Sequence, residues 1–397
     1  MTPTPTEPSA DGLSAPSADG PSAPADLTPR PLHPAEDDAQ GQHPGEAGPI
    51  LDSAGVREAV TSLLSAATGA STVVVGLHRA GHRTLIARGR TTTHHEGVPS
   101  TPATRFEIGS LTKPFTALLL AEQAASGVLD LNDPLCRHLP AHMLLSPGGH
   151  AITLTHLATH TSGLPRLPPG LLRQALPALF TNPYAGFTTD QVLHALARTR
   201  LHAPPGTRVR YSNFGVGLLG HALLGAAGAT DYSAFLHDRV LAPLRLRDTD
   251  CEPTPPAGTA QATGYRHRRP RPPFHVPGLP AAGALRASAR DLLTLTEALL
   301  DPRTTSVPPT LRTALTEVRR PRLRLPDNRG MALLWNIRTR PDGTRLYHHA
   351  GATRGCTAFA GFNPQHGTAL VALTNTAPTL GNAFIQAAYT ALIALQP

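Results

Sequence analysis

The runs that read as strands lie at the two ends of this chain and leave its middle almost bare of them. Near the start, "STVVVGLHR" and "RTLIARGRT" are β-rich and separated by a Gly-containing turn, a hairpin signature. Near the end come "MALLWNIRTR", "TRLYHH", "CTAFAGFN" and "TALVALTN". Residues 129–256, roughly, are helical and loop-rich, and the clearest helix there is "NFGVGLLGHALLGAAG". Strands at both ends cannot bury their apolar faces separately. The pattern predicts an α/β fold, a sheet assembled from both chain ends with a mostly helical insertion between them. Helices are predicted to flank it: the amphipathic "VREAVTSLLSAATGA", "ASARDLLTLTEALL" with Ser288 as candidate cap, and a closing "NAFIQAAYTALIAL".

The first fifty of the 397 residues read differently. They are rich in Pro, Ala, Ser and Asp, repeat "PSADG", and carry almost no large apolar side chains. Such a segment buries too little surface to offset the entropy of ordering, so residues 1–50 read as a disordered tail and 51–397 as the folded domain. The tail lacks the basic start and apolar run of a secretory signal. No apolar run is long enough to span a membrane. Three scattered cysteines, Cys136, Cys251 and Cys356, make no disulfide framework. These features favour a reducing, cytoplasmic setting. The net charge of +8 raises nucleic acid as a partner. The densest basic runs, "YRHRRPRPP" and "RRPRLR", read as Pro-rich solvated loops without the aromatic or helical patterns of nucleic-acid readers, so none is expected.

Lys113 is the only lysine among 35 basic side chains; the others are arginine. Arginine replaces lysine at most surface sites, but it cannot give up its proton near neutral pH. A lone lysine therefore suggests a task for a neutral amine, with chance survival at the surface as the bland rival. Lys113 stands three residues after Ser110, in "FEIGSLTKPFTALLLAEQAASG". That run reads as a helix opening at Ser110, with Pro114 tolerated in the first turn and Gly127 at the end. The spacing puts both side chains on one face. A serine hydroxyl becomes a good nucleophile when a neighbouring base takes its proton, and a desolvated lysine can be that base. By itself Ser-x-x-Lys arises by chance, and Ser110 could be a plain N-cap.

The surroundings sharpen the reading. "FEIGSLTKPFTALLLA" resembles the nucleophile helix of the serine β-lactamase and penicillin-binding-protein superfamily, above all class C β-lactamases and their esterase relatives. Further landmarks follow in that family's order: "SGVLDLNDPLCRHLP", "LTHLATHTSGLP", "PGTRVRYSNFGVGLLG" with a Tyr-x-Asn element, and "HAGATRGCTAFAGFNP" as the terminal strand motif. The resemblance covers about Val56 to the C-terminus. It implies a β-lactamase-like fold, an antiparallel sheet flanked by helices plus a helical subdomain.

The resemblance also implies roles. Ser110 would be the nucleophile and Lys113 its base. Tyr211 would be a second acid/base group, its pKa drawn from about 10 toward neutrality by a nearby cation. Asn213 would meet a substrate amide or Lys113. The backbone N–H groups of Ser110 and Ala352 would form the oxyanion hole. Gly351 would keep the acyl group's approach clear. His349 stands where class C enzymes have lysine. Strand alternation lets only one of His348 and His349 face the site, and the alignment to Gly351 favours His349. An imidazole there removes a permanent cation and suits esters and amides without a carboxylate.

Other residues keep bland readings. His156 and His160, at i and i+4, are structural before they are metal ligands; Cys356 is a buried thiol; Trp335 is core or cleft wall. The expectation is a serine acyl-enzyme hydrolase acting on a small-molecule ester or amide, with no metal and no cofactor. The alternatives are a transacylase with an amine or alcohol acceptor, and a β-lactam sensor that does not turn over. The loops 166–188 and 264–283 are expected to shape the pockets.

Overall fold

A computed structural model describes residues 49–396, apart from 94, 95, 142, 144, 146, 147 and 177–181. The first part of the chain yields α1 (Ala54–Ser65), β1 (Thr72–Arg79), β2 (His82–Gly89), β3 (Arg105–Glu107) and α2 (Thr112–Ala125). The middle holds α3 (Leu154–Ala158), α4 (Leu171–Gln174), α5 (Thr189–Arg198), α6 (Asn213–Ala227) and α7 (Tyr232–Leu236). Then come β4 (Tyr265–Arg266), β5 (Arg269–Pro270), α8 (Pro280–Gly283), β6 (Arg286–Ser288), α9 (Ala289–Leu300) and α10 (Pro309–Glu317). The chain closes with β7 (Leu323–Arg324), β8 (Arg329–Met331), β9 (Asn336–Thr339), β10 (Arg345–Ala352), β11 (Thr357–Asn363), β12 (Thr368–Thr374) and α11 (Ala383–Ala394).

The two ends do meet. The main sheet has eight strands in the order β2-β1-β12-β11-β10-β9-β8-β7. Every pairing in it is antiparallel, and β1 lies beside β12 with Val75 opposite Ala372. This is the mixed α/β architecture of a β-lactamase-like fold. Between β3 and β4 the described residues hold helices, loops and isolated bridges but no strand of the sheets.

The run "TVVVGL" does not alternate because both faces of the sheet are covered. Val73, Val75 and Leu77 join Leu370, Ala372 and Phe359 under α1 and α11. Val74, Val371, Leu373 and Ala360 point the other way, into the larger core with α2, α6 and α9. Each such fully buried aliphatic side chain stabilises the fold by roughly 1.5–3 kcal/mol. Caps mark the helices as expected: Ser288 accepts a hydrogen bond from Asp291 N at the start of α9, and Gly228 ends α6 with φ 65°.

Several expectations need correcting. The tail over 1–50 lies outside the described residues except at its end. There Pro49–Asp52 forms a 3-10 turn, and Ile50 packs into the α1/α11 core, so the folded part reaches back past residue 51. The run Met331–Arg340 is two strands. Leu334 adopts φ 55° and its N–H donates to Ala158 O of the helical region, so a tertiary contact breaks the strand between β8 and β9. "YRHRRPRPP" is a small hairpin: His267 and Arg268 both have positive φ, the geometry of a two-residue primed turn, and Tyr265 is fully buried. In "RRPRLR", Arg319 donates to the Leu299 and Leu300 carbonyls at the end of α9 instead of lying solvated. No helix among the described residues is long and apolar enough to cross a membrane.

Candidate active site

Ser110 sits in a 3-10 turn, Gly109–Leu111, that leads into α2, so the regular helix begins at Thr112, two residues later than expected. The turn lies hard against the end of β10. A Cβ on Gly351 would fall 1.9 Å from Ile108 O, 2.6 Å from Leu111 N and 3.0 Å from Ser110 N. From the other side, Gly109 has φ 49°, and a Cβ there would fall 2.4 Å from Ala352 O. Two glycines allow this approach. Gly351 is therefore required by the nucleophile turn itself, a different reason from the expected clearance for an acyl group.

The same approach brings two backbone donors together. Pairing of β9 with β10 stops at His348, so residues 349–352 form an open edge. Thr353 N donates to Cys356 O across the turn that leads into β11. Alternation along an antiparallel ladder then turns the Ala352 N–H away from β11, toward the open edge. A Cβ on Gly109 would sit 2.9 Å from Ala352 N, and one on Gly351 3.0 Å from Ser110 N. Ser110 and Ala352 line the same cavity.

Two side chains converge on the Ser110 hydroxyl. Lys113 Nζ donates to Oγ at 3.0 Å and to the Ala282 carbonyl at 2.6 Å. Tyr211 Oη donates to the same Oγ at 2.5 Å. Lys113 is 0 % exposed. Burial, and then repulsion from Arg166, hold its pKa well below the ordinary lysine value. The neutral amine that the lone lysine suggested is thus accessible, and it is one turn along from the hydroxyl. Tyr211 goes the other way from expectation. Burial raises its pKa, and the Ser110 hydrogen bond and Arg166 offset this only in part. Lys113 is near, 5.0 Å from the ring centroid, but a lysine that sheds its own charge does little to favour a phenolate. The resting phenol is protonated.

His349 faces this cluster and His348 does not. His348 packs toward Phe359 and Tyr389 of α11, with ring centroids at 6.3 and 5.2 Å. His349 is buried, and burial followed by Lys113 and the two histidines pulls its pKa well down, so the imidazole is neutral. Among the described residues its Nδ1 has no hydrogen-bond partner. It makes no hydrogen bond to Ser110. His160 backs the cluster: its ring stands 4.7 Å from that of Tyr211, its Nδ1 accepts from Ser212 N, and burial lowers its pKa to about 3. His156 lies apart, its Nδ1 closing the capping box of α3. The i, i+4 spacing does not aim both rings at one point, because His160 lies past the end of α3 with φ 57°. Asn213 contacts Tyr184, donating from Nδ2 to the hydroxyl at 3.0 Å, and makes no bond to Lys113. Its Oδ1 is buried without a partner, an acceptor held ready for a ligand N–H.

Two cavities flank Tyr211. The first, about 300 Å³, is lined by Ser110, Asn213, Ala352 and parts of both long loops, including Arg166, Tyr184 and Phe274. Both loops wall the pocket of the nucleophile. The second, about 460 Å³, is lined by Tyr211, His160, His349, Leu334, Arg338 and Gln386, among others. The Tyr211 ring borders this second cleft while its hydroxyl reaches the serine of the first.

Sequence reasoning missed four contributors. Arg166 lies over the Tyr211 ring at 5.4 Å and, with Arg354, brings cations to the pocket of the nucleophile. Tyr184 carries Asn213. Glu107 clamps the site from behind: its carboxylate accepts from Phe274 N and from Thr353 Oγ1, both at 2.6 Å. Glu107 and Gly109 stand within the quoted "FEIGS", but nothing in the sequence ties them to Thr353 or Ala352, some 250 residues away. Cys356 is fully buried, and burial plus Glu107 push its thiol well above the ordinary value. Trp335 is core, packed edge-on against Phe362.

Comparison with known proteins places the chain in a family. A family model described as Beta-lactamase matches residues 58–395. The chain is 37% identical over 149 residues to the D-alanyl-D-alanine-carboxypeptidase/endopeptidase AmpH of Escherichia coli (strain K12), covering 37% of each chain. It is 31% identical over 205 residues to Putative beta-lactamase-like 1 of Homo sapiens, covering 50% of this chain and 39% of that one. It is 30% identical over 192 residues to a Beta-lactamase of Escherichia coli (strain K12), covering 48% and 45%. The matches thus span less than half the length of each of these relatives.

Proposed function

The chain belongs to the beta-lactamase family, and from that premise we propose that it is a serine acyl-enzyme hydrolase of small-molecule esters or amides. One observation carries the reading: a single hydroxyl, Ser110 Oγ, is held at once by a fully buried lysine with a lowered pKa and by a protonated phenol. Lys113 takes the Ser110 proton as Oγ bonds to the carbonyl carbon. The carbonyl oxygen becomes an oxyanion facing the Ser110 and Ala352 amides. The bond to the leaving atom then breaks, and Tyr211 supplies its proton, replenished from the Lys113 ammonium. Water repeats the steps in reverse on acyl-Ser110 and releases the acid. The chemistry uses no metal or cofactor. His349, neutral and one wall away, serves leaving-group or acceptor binding.

The acyl group occupies the pocket of Ser110, Asn213 and Ala352, and the leaving group the cleft beyond Tyr211. That second cleft favours a second reading, a transacylase whose amine or alcohol acceptor enters where the leaving group departed. A reactive 4-nitrophenyl ester tests both. The hydrolase reading expects an acyl adduct mapped to Ser110 by mass, cleared with release of free acid and absent in Ser110→Ala. Saturable diversion of product to an amine or alcohol conjugate would favour the transacylase. An adduct that never clears would indicate a sensor, and no adduct at all would refute acyl-enzyme chemistry.

A further inference from the structure

The pocket beside Ser110 has both apolar and cationic lining. Leu167, Phe274 and Val276 line its walls, and Arg166 and Arg354 line it with them, while no Asp or Glu is among its lining residues. Among the described residues the Arg166 guanidinium forms no ion pair; its contact is the face of Tyr211. Tyr184, set edge-on to Phe274 at 5.8 Å, lines the same pocket as both guanidiniums. Arg354 is also close enough to Arg266 and Arg271 to be disfavoured by them. Cationic side chains lining a cavity attract an anionic group of a ligand. Arginine also presents paired donors that match a carboxylate.

We propose that this pocket selects an acyl group carrying a carboxylate at its far end, held by Arg166 and Arg354. The proposal rests on the acyl-enzyme reading for its word "acyl", but the anion site stands on the cavity itself. It reverses the expectation drawn from His349. The strand position of His349 carries no permanent cation, and the pocket beside the nucleophile is lined by two. The preferred substrates are half-esters or half-amides of dicarboxylic acids. The apolar walls contact the methylene chain and the guanidiniums take the charged end.

The test compares mono-4-nitrophenyl adipate with 4-nitrophenyl hexanoate, which differ in the terminal carboxylate. The expected ratio of kcat/KM is at least about tenfold in favour of the adipate, the size of one charge-assisted hydrogen bond. Arg166→Gln and Arg354→Gln should each cut that ratio severalfold. The ratio cancels any influence of Arg166 on Lys113, since both esters use the same lysine. Arg312→Gln, at an exposed position on α10 outside the pocket, should leave the ratio unchanged and so excludes a general effect of net charge. In parallel, calorimetry on Ser110→Ala should show adipic acid monoamide binding more tightly than hexanamide, with the difference lost in the arginine variants. Equal ratios for both esters, or a preference untouched by both arginine variants, would overturn the proposal. Preferential binding of the monoamide without turnover of either ester would overturn the acyl-enzyme reading and leave the anion site standing.

Discussion

Replacing Gly351 by alanine adds one methyl group at the tightest contact of the site. That Cβ would lie 1.9 Å from Ile108 O, 2.6 Å from Leu111 N and 3.0 Å from Ser110 N, all backbone atoms. Ordinary contact begins near 3.4 Å. The nucleophile turn and β10 must therefore separate by about 1.5 Å, because neither partner is the free end of a side chain. The separation pulls the Ser110 amide from the Ala352 amide. Misplacing a reacting group by about 1 Å costs on the order of 10²-fold, and losing one oxyanion donor costs about 10²–10³-fold. The Gly351→Ala variant should lose about 10²–10³ in kcat on a 4-nitrophenyl ester. Its stability should fall by only about 1–3 kcal/mol, the usual cost of overpacking. Gly361→Ala is the control. Its Cβ would meet the end of the Leu392 side chain at 2.6 Å, far from Ser110 in the α11 packing. It should lower the melting temperature without a comparable loss of kcat. A folded Gly351→Ala enzyme with more than half of wild-type kcat would refute the argument that this contact sets the oxyanion geometry.

Lys113→Arg should lower kcat by about 10²–10⁴-fold although it keeps a positive charge, because arginine cannot act as a base; a variant with half of wild-type turnover would show that Lys113 is no base. Since folding lowers the Lys113 pKa, the unfolded chain binds more protons there between the lowered value and the ordinary lysine range, so this group's contribution to stability rises with pH across that window. Lys113→Met should accordingly melt higher than wild type at neutral pH, the gap closing toward the ordinary lysine range. Asp291 carries the opposite sign: burial and Asp248 raise its pKa from 3.8 to about 6, so the folded state holds the extra proton and stability falls as pH rises through that interval. Asp291→Asn should gain on wild type between about pH 4 and 6 in thermal melts, with no gain on further lowering of the pH. Glu107→Gln should destabilise by about 3 kcal/mol, because it opposes an amide N–H₂ to a donor and leaves the buried Arg286, 4.0 Å away, without its counter-charge; calorimetric melts would show an unchanged stability if the clamp were idle.

What could be read from the sequence was set by the range of the interaction. Ser110 and Lys113 meet through one turn of helix, and three residues of spacing suffice to place both on one face. The lone lysine added the chemistry, because only a task arginine cannot do distinguishes it among 35 basic residues. The sheet was legible because apolar runs at both ends have one economical way to be covered. The single strand expected over Met331–Arg340 failed where a partner from the other region, Ala158 O, took a backbone N–H that local pattern assigns to a ladder.

Tyr211, Asn213, His349 and Ala352 lie about 100 or more residues from Ser110, and no propensity or period connects them to it. They came from motif resemblance, and the resemblance carried positions better than states. It placed Tyr211 on the serine hydroxyl, yet the inferred phenolate depended on a cation whose charge the same burial removes. Desolvation acts on every group in the cluster at once and always against charge. It therefore leaves Lys113 a neutral base, Tyr211 a neutral acid and His349 a neutral wall. The permanent charge of the site moves outward to Arg166 and Arg354, where solvent and ligand can meet it. A motif names the residues of such a cluster one at a time, while the protonation states belong to the cluster as a whole. For that reason the arginines, Arg354 inside a quoted motif that gives it no role and Arg166 one residue past another, are the residues we propose to decide what the serine meets.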